Sequence, residues 1–445
     1  MTIVIIYIGR LDILKDKGIL KYELGPGINL HVIPDVKFKT VFISYCFRKD
    51  LNDDYTYNAL LPTVLKRGCE GFENIRKIET HLEEQYGAIF DVSVQKKGES
   101  QILSFFMDLV NEAYLSENGV LAQAFYFMNR VITKPVIENS LFKQEYVDQE
   151  AENLKNRIAS LINDKMSYSI ERCIQEMCKG EKYSRYVFGS IKDLEELDPE
   201  RLFKVYEDTI NYSPLDIFVT GNVDPEKIYT LVSNSLDIER TSIKTIPETA
   251  IKKVGVKEKE VIEEMDVSQA KLNMGFRTNT HFTEREYYPL LVYSSILGGG
   301  PHSKLFINVR EKASLAYYAF SRLEKHKGLM IIGSGIEKEK YNLAKDIILQ
   351  QLSDMRKGKI SKEELIASKK SIITSLRGAK DQQSQLVDYY LSNAVGNSNV
   401  TLDELIEEVN NVTMEQVVDI SERIKLDTIY LLSPKEGRLS HGKNN

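Results

Sequence analysis

Residues 298–321 (GGGPHSKLFINVREKASLAYYAFS) hold the side chains of this chain that are best placed to do chemistry. Gly298, Gly299 and Gly300 follow an amphipathic helix and give a backbone that can approach a ligand closely. A short helical stretch is predicted over 304–312, then a strand-like run over 315–321. That order puts Arg310 near a helix end and Tyr317 early in the next strand, seven residues apart across a bend. Both are hydrogen-bond donors that could point into one cleft. The same residue types also fit a C-cap, a surface arginine and a half-buried tyrosine.

Other catalytic schemes find little in the sequence. There is no G-x-S-x-G elbow and no phosphate loop of the G-x-x-x-x-G-K-[ST] type. The four cysteines (Cys46, Cys69, Cys173, Cys178) lack C-x-x-C spacing, which argues against a disulfide framework or a zinc ribbon. Cys173 and Cys178 lie on a helical stretch and read as packing residues.

Composition narrows the class further. A chain of 445 residues is too long for one ordinary core, so two or more domains are expected. With 42% hydrophobic and 28% charged residues it reads as an ordinary globular protein. A net charge of −6 gives no concentrated basic face for nucleic acid. The apolar run Ile3–Ile8 is too short to cross roughly 30 Å of hydrocarbon and lacks signal-peptide flanks. It reads as an opening strand or as a few residues of upstream start-site extension, and the cytoplasm is the expected compartment.

The elements that must position Arg310 and Tyr317 follow a repeated order. Residues 18–33 read as two strands around Gly25-Pro26-Gly27, and 38–50 as a half-buried strand. A helix with Tyr57, Leu60, Leu61, Val64 and Leu65 on one stripe stops at Gly68. A second helix, 74–85, leads through Gly87 into two more strands. Helical stretches are expected at 113–132 and 139–165. A strand reaching Val219 then meets Asp224 as N-cap and Pro225 at the first helical position. Residues 237–258 are polar, aperiodic and contain a proline, which is linker composition. The helix-spaced charges of KGKISKEELIASKKSI read as an exposed amphipathic face.

After residue 258 the order starts again. Phe47-Arg48 is matched by Phe276-Arg277, and Leu60-Leu61 by Leu290-Leu291. Arg48 to Gly68 spans 20 residues and Arg277 to Gly298 spans 21. An offset near 229 implies a duplicated α+β unit: lobes at 1–236 and 259–445, joined by the linker.

Nearly the whole chain resembles the pitrilysin/insulinase family of zinc metallopeptidases (inverzincins), in its small two-lobed bacterial processing-peptidase-like branch. The segments that carry the resemblance are YNALLPTVLKRG, the strand and Asp-Pro helix of LDIFVTGNVDPEKIYTLVSNSL, and the stretch 298–321. The resemblance implies an α+β fold of two homologous lobes. Each lobe is a mostly antiparallel β-sheet covered by α-helices, and together they form half of a clamshell. It also implies that Arg310 and Tyr317 reach over a peptide from the half opposite the metal, with Gly298–Gly300 beside the substrate. There they would donate to the scissile carbonyl oxygen as it gains negative charge, each such donor being worth about 2.7–4 kcal/mol.

The family's H-x-x-E-H motif is absent. It works because imidazoles at i and i+4 on one helical face bind Zn²⁺ while the carboxylate activates the bound water. Counting back from Gly68, its positions fall on Ala59, Pro62 and Thr63, none of which can replace those groups. The sequence His81-Leu82-Glu83-Glu84-Gln85 is one residue from the motif, but it lies on the second helix and reads as a solvated polar face. The third ligand's counterpart would be Glu152, seven residues after Glu145, although the interval from Thr63 is longer than usual. Without histidine partners Glu152 reads as a solvated helix carboxylate.

No cofactor is therefore expected in this chain. Some members of the family divide the work between two chains, and this one matches the kind that lacks zinc. The expected function is the non-catalytic subunit of a heterodimeric zinc metallopeptidase acting on short, extended peptides. The zinc would sit in a paralogous partner. A homodimer when that partner is absent stays open, as does an inactive peptide-binding or structural scaffold. No nucleic-acid or membrane partner is expected.

Overall fold

A computed structural model describes residues 11–12, 18–251 and 257–435. The run Ile3–Ile8 and residues 252–256 of the expected linker lie outside the described residues. The chain forms two compact units, each built from pieces distant in sequence. The first takes residues up to Ala159, Val187–Glu248 and Gln382–Val395. The second takes Ser160–Tyr186, Thr249–Asp381 and the residues from Gly396 on.

The first unit holds strands β1 (Leu11–Asp12), β2 (Leu20–Gly25), β3 (Ile28–Pro34), β4 (Thr40–Asp50), β5 (Ile89–Lys97) and β6 (Ser100–Val110). It also holds a small ribbon, β7 (Ile137–Glu138) with β8 (Leu141–Phe142), and β9 (Leu215–Gly221). Its sheet runs β1-β2-β3-β9-β4-β6-β5, and only β3 and β9 pair in parallel. The second unit holds β10 (Lys259–Met265), β11 (Ala270–Arg277), β12 (Ala316–Glu324), β13 (Leu329–Ile336) and β14 (Lys425–Pro434). Its order is β10-β14-β11-β13-β12, with only β10 and β14 parallel. Taken in chain order, β3-β9-β4-β6-β5 and β10-β14-β11-β13-β12 are one topology used twice. The sheets are α+β and mostly antiparallel, and the Phe-Arg match of β4 and β11 falls on corresponding strands.

Alternation along β4 sends Tyr45 and Phe47 into the main core of the first unit, beside Leu60, Leu61 and Phe125. Its other face carries Phe42 and Cys46, which join Ile33, Ile102 and Phe218. That second face is covered by Val387 and Leu391 of helix Gln383–Val395. In the second unit, helix Lys165–Met177 supplies Ile170, Ile174 and Met177 against Leu329 and Ile331 of β13. Each unit therefore has one sheet face closed by a helix from the other half of the sequence. The contiguous lobes 1–236 and 259–445 need correcting on this point. Hydrophobic periodicity shows that a helix has an apolar face, not which sheet that face will cover.

The repeated arginines make this exchange specific. Arg277 Nη2 donates to the carbonyl of Met177, the last residue of its borrowed helix, at 2.8 Å. Arg48 Nη1 donates to the carbonyl of Val395, the last residue of the other, at 3.2 Å. In both cases a cation meets the negative end of the helix dipole.

Smaller departures from expectation have local causes. The helix predicted from residue 113 begins at Val120, because Glu112 accepts from the amides of Gly119 and Leu121 and holds the preceding turn. The linker is pinned rather than free: Ile238 joins the first unit's core and the amide of Lys244 donates to Tyr212 O. Among the described residues no helix is long and apolar enough to cross a membrane.

None of the four cysteines is in a disulfide, and all four are buried. Burial pushes the thiols of Cys46 and Cys69 up to about 11 and about 12, and that of Cys173 above its ordinary value. Thiolates are the reactive form. A thiol-reactive dye at pH 8 should therefore label none of the four in the folded chain and all four in denaturant. Stoichiometric labelling of the native protein would contradict this packing.

Candidate functional site

The helix that carries the degenerate motif, Tyr55–Leu65, is buried nearly all round. Ala59 is 2% exposed and belongs to the first unit's apolar core. Pro62 sits inside the helix, so it has no amide to offer the carbonyl of Asn58. The side-chain amide of Asn58 is itself buried without a partner. Thr63 turns back on its own helix, its hydroxyl donating to Leu60 O at 2.8 Å. A position that must admit metal and water in a catalytic relative is here filled by core side chains.

The neighbouring candidate side chains are engaged elsewhere. Glu152 is exposed and accepts from Asn156 at 3.2 Å. The inward carboxylate of its helix is Glu150, which pairs with Arg67 at 3.4 Å. Sequence reasoning missed Glu150, although Val147, Glu150 and Leu154 form an i, i+3, i+7 stripe. His81 is not on a solvated face. Its ring packs 4.6 Å from Phe72 and 5.2 Å from Phe127, and burial pulls its pKa down. Gln85 is buried and donates to Gln123. Among the described residues no group of three or more His, Cys, Asp or Glu is placed to hold a metal ion. The residues present do not fit the zinc site of the family.

Restoring the motif letters should not restore the metal. The variant Ala59→His/Pro62→Glu/Thr63→His is expected to bind no stoichiometric zinc by elemental analysis. Forcing an imidazole into the packed site of Ala59 should also cost about 1–3 kcal/mol of stability. One tightly bound zinc per chain would contradict this reading of the helix.

The second unit presents the opposite case. Helix Tyr287–Gly298 ends on Gly298, whose backbone lies so close to β12 that an added Cβ would sit 2.2 Å from Ser321 N. Gly298 is thus a packing glycine that fixes the helix against the strand. Gly299 caps the helix, and Gly300 takes a φ of 150° at the turn. Ser303 is fully buried, and Lys304 pairs with Glu364 at 2.9 Å. The chain then widens into a seven-residue π-helix, Phe306–Lys312, which Asn308 ties to Gln351 at 2.8 Å. Arg310 is exposed on this π-helix, its guanidinium 4.6 Å from the ring of Phe306.

Tyr317 follows a residue, Ser314, that has a φ of 50°. It is the extra residue of a bulge, because β12 pairs Ala316 with Ile336 and Tyr318 with Gly335. Bulges occur at sheet edges, where they re-aim side chains. β12 is an edge strand and Tyr317 is 67% exposed. Each of the two residues therefore rides on a local irregularity, a π-turn and a bulge. Neither makes a hydrogen bond or ion pair among the described residues. Such free donors on a braced scaffold can meet an oxygen brought from outside. Neither irregularity has a sequence signal beyond the Gly-rich turn before it.

A family profile described as the peptidase M16 inactive domain matches residues 196–372. A probable inactive metalloprotease of Bacillus subtilis (strain 168), YmfF, is 36% identical over 420 residues, covering 94% of this chain and 98% of that protein. The crystal structure of a conserved protein from Enterococcus faecalis V583 is similar with a TM-score of 0.86 at 30% identity, covering 95% of this chain and 100% of that one. A protease from Helicobacter pylori shares the fold, with a TM-score of 0.81 at 16% identity over 94% of this chain and all of that one. The chain belongs to the pitrilysin/insulinase family of metallopeptidases, family M16, as an inactive, peptidase-like member in which the zinc motif has been replaced.

Proposed function

We propose that this protein is the non-catalytic subunit of a heterodimeric zinc metallopeptidase and that it contributes Arg310 and Tyr317 to a site whose metal lies in a paralogous partner. The partner would supply the metal and the water bound to it. Arg310 and Tyr317 would donate to the scissile carbonyl oxygen as it becomes negative, with Phe306 supporting the guanidinium from below. Two preorganised donors of this kind stabilise developing charge without reorganising. The observation that carries the reading is the contrast between the two units. The motif helix is sealed by core packing, while Arg310 and Tyr317 stay exposed and unpaired.

The substrate class follows from the edge. Among the described residues β12 has a strand partner on one side only. Short, extended peptides can lie along such an edge, where main-chain hydrogen bonds give affinity. Four cysteines outside any disulfide accord with a reducing compartment, the cytoplasm.

Reconstitution tests the proposal. The purified chain, mixed with a zinc-bearing paralogue from the same genome, should form a 1:1 complex that cleaves unfolded peptides, whereas each chain alone does not. A chain that binds peptide or partner without changing hydrolysis would instead be a scaffold, and the proposal would fail.

A further inference from the structure

The reciprocal loan of helices bears on how the two halves of the chain recognise each other. In the first unit, Gln383 at the start of the borrowed helix donates to the carbonyls of Thr220 at 2.8 Å and Thr40 at 3.1 Å. It also accepts from Thr40 Oγ1 at 2.8 Å. Midway along this helix, the buried Lys97 donates to Asp388 at 2.7 Å and to Ser392 at 3.0 Å. Leu391, 2% exposed, fills the apolar face between these polar anchors. In the second unit the segment lent in return is held by Arg277. Its guanidinium grips Glu181 through two nitrogens, at 2.7 and 3.1 Å, besides the carbonyl of Met177.

Between the halves the chain is open to attack. Pro247 and Glu248 are exposed and have no regular structure. The stretch is nonetheless tied at both ends, by Lys244 N to Tyr212 O before it and by Lys327 Nζ to Ala250 O after it.

We propose that residues 1–247 and 248–445 are complementary fragments that recognise each other through the helices they lend, so that a cut at Pro247 leaves an assembled non-covalent pair. The occupant of each uncovered sheet face is thus fixed as the matching helix of the other fragment. Neither fragment can close its sheet alone, because each keeps a helix with no sheet to cover and a sheet with one face left bare. Such a face is a large apolar surface that monomers rarely expose.

The test uses the full chain with a protease recognition sequence inserted between Pro247 and Glu248. After cleavage, the two fragments should co-elute from a sizing column at the position of the intact 51.0 kDa chain and separate only in denaturant. Their separation in native buffer would overturn the proposal. A second measurement isolates the lent helix: the rate at which the cleaved pair exchanges one fragment for a labelled copy. Leu391→Ala, mild enough to leave the intact chain folded, should speed that exchange at least tenfold. An unchanged rate would mean that the lent helix does not hold the pair, and would overturn the proposal as well.

Discussion

Replacing Arg277 by leucine should destabilise the second unit by about 3–5 kcal/mol, the usual cost of removing one partner from a buried ion cluster. Arg277 is 1% exposed, and its Nε donates to Asp427 at 2.9 Å while Nη1 and Nη2 grip Glu181. Lys327, fully buried, adds a second cation 2.9 Å from Glu181. Two cations thus balance two carboxylates, the buried Asp427 and the half-buried Glu181. Leucine would strand Asp427, whose other oxygen accepts from the hydroxyl of Thr428 at 2.8 Å. Arg277→Lys should also cost stability, because a point charge cannot span three acceptors in a plane.

The corresponding change in the first unit should be much milder. The buried Nε of Arg48 has no hydrogen-bond partner, and burial pulls the pKa of its guanidinium down. The aspartate in the matching place, Asp216, is engaged instead by His31 at 2.8 Å and Asn29 at 3.2 Å. Arg48→Leu therefore gives up one hydrogen bond to Val395 O, worth about 1 kcal/mol net. Urea unfolding of the two variants side by side checks the contrast. Equal losses would contradict the idea that the two arginines have diverged from a common role.

The second large effect concerns chemistry. In the reconstituted pair, Arg310→Ala should lower kcat by about 10²–10³, equivalent to about 2.7–4 kcal/mol of transition-state stabilisation. Because the lost interaction strengthens only as the carbonyl oxygen charges, KM should change little. Tyr317→Phe keeps the ring and removes the hydroxyl, so it should act in the same direction. Zinc content and complex formation should be unaffected by either change, since both side chains are exposed and unpaired. A rise in KM with unchanged kcat would assign them to ground-state binding instead.

Much of the architecture was legible from local pattern. The alternation in 38–50, the leucine pairs and the two Phe-Arg dipeptides mark a repeat, and the duplicated strand order realises it. The loss of the metal site was equally plain, since Ala59, Pro62 and Thr63 lack the needed groups in any fold. What stayed hidden depends on long-range packing. Helix Lys165–Met177 looks like any amphipathic helix, and nothing in its residues names the sheet of the other half. His81 reads as polar by type but is enclosed by Phe72 and Phe127, which lie far apart in sequence. Glu150 rather than Glu152 turns inward because helix rotation is set by Val147 and Leu154. The π-turn under Arg310 and the bulge at Tyr317 are one-residue register effects, which periodicity over short windows does not resolve.

The most direct measurement of the central claim is peptide hydrolysis by the zinc-bearing paralogue with and without this chain, at matched zinc content. Cleavage is expected to be negligible until this chain is added and to saturate at one equivalent. Full activity of the paralogue alone, unchanged by addition, would contradict that claim.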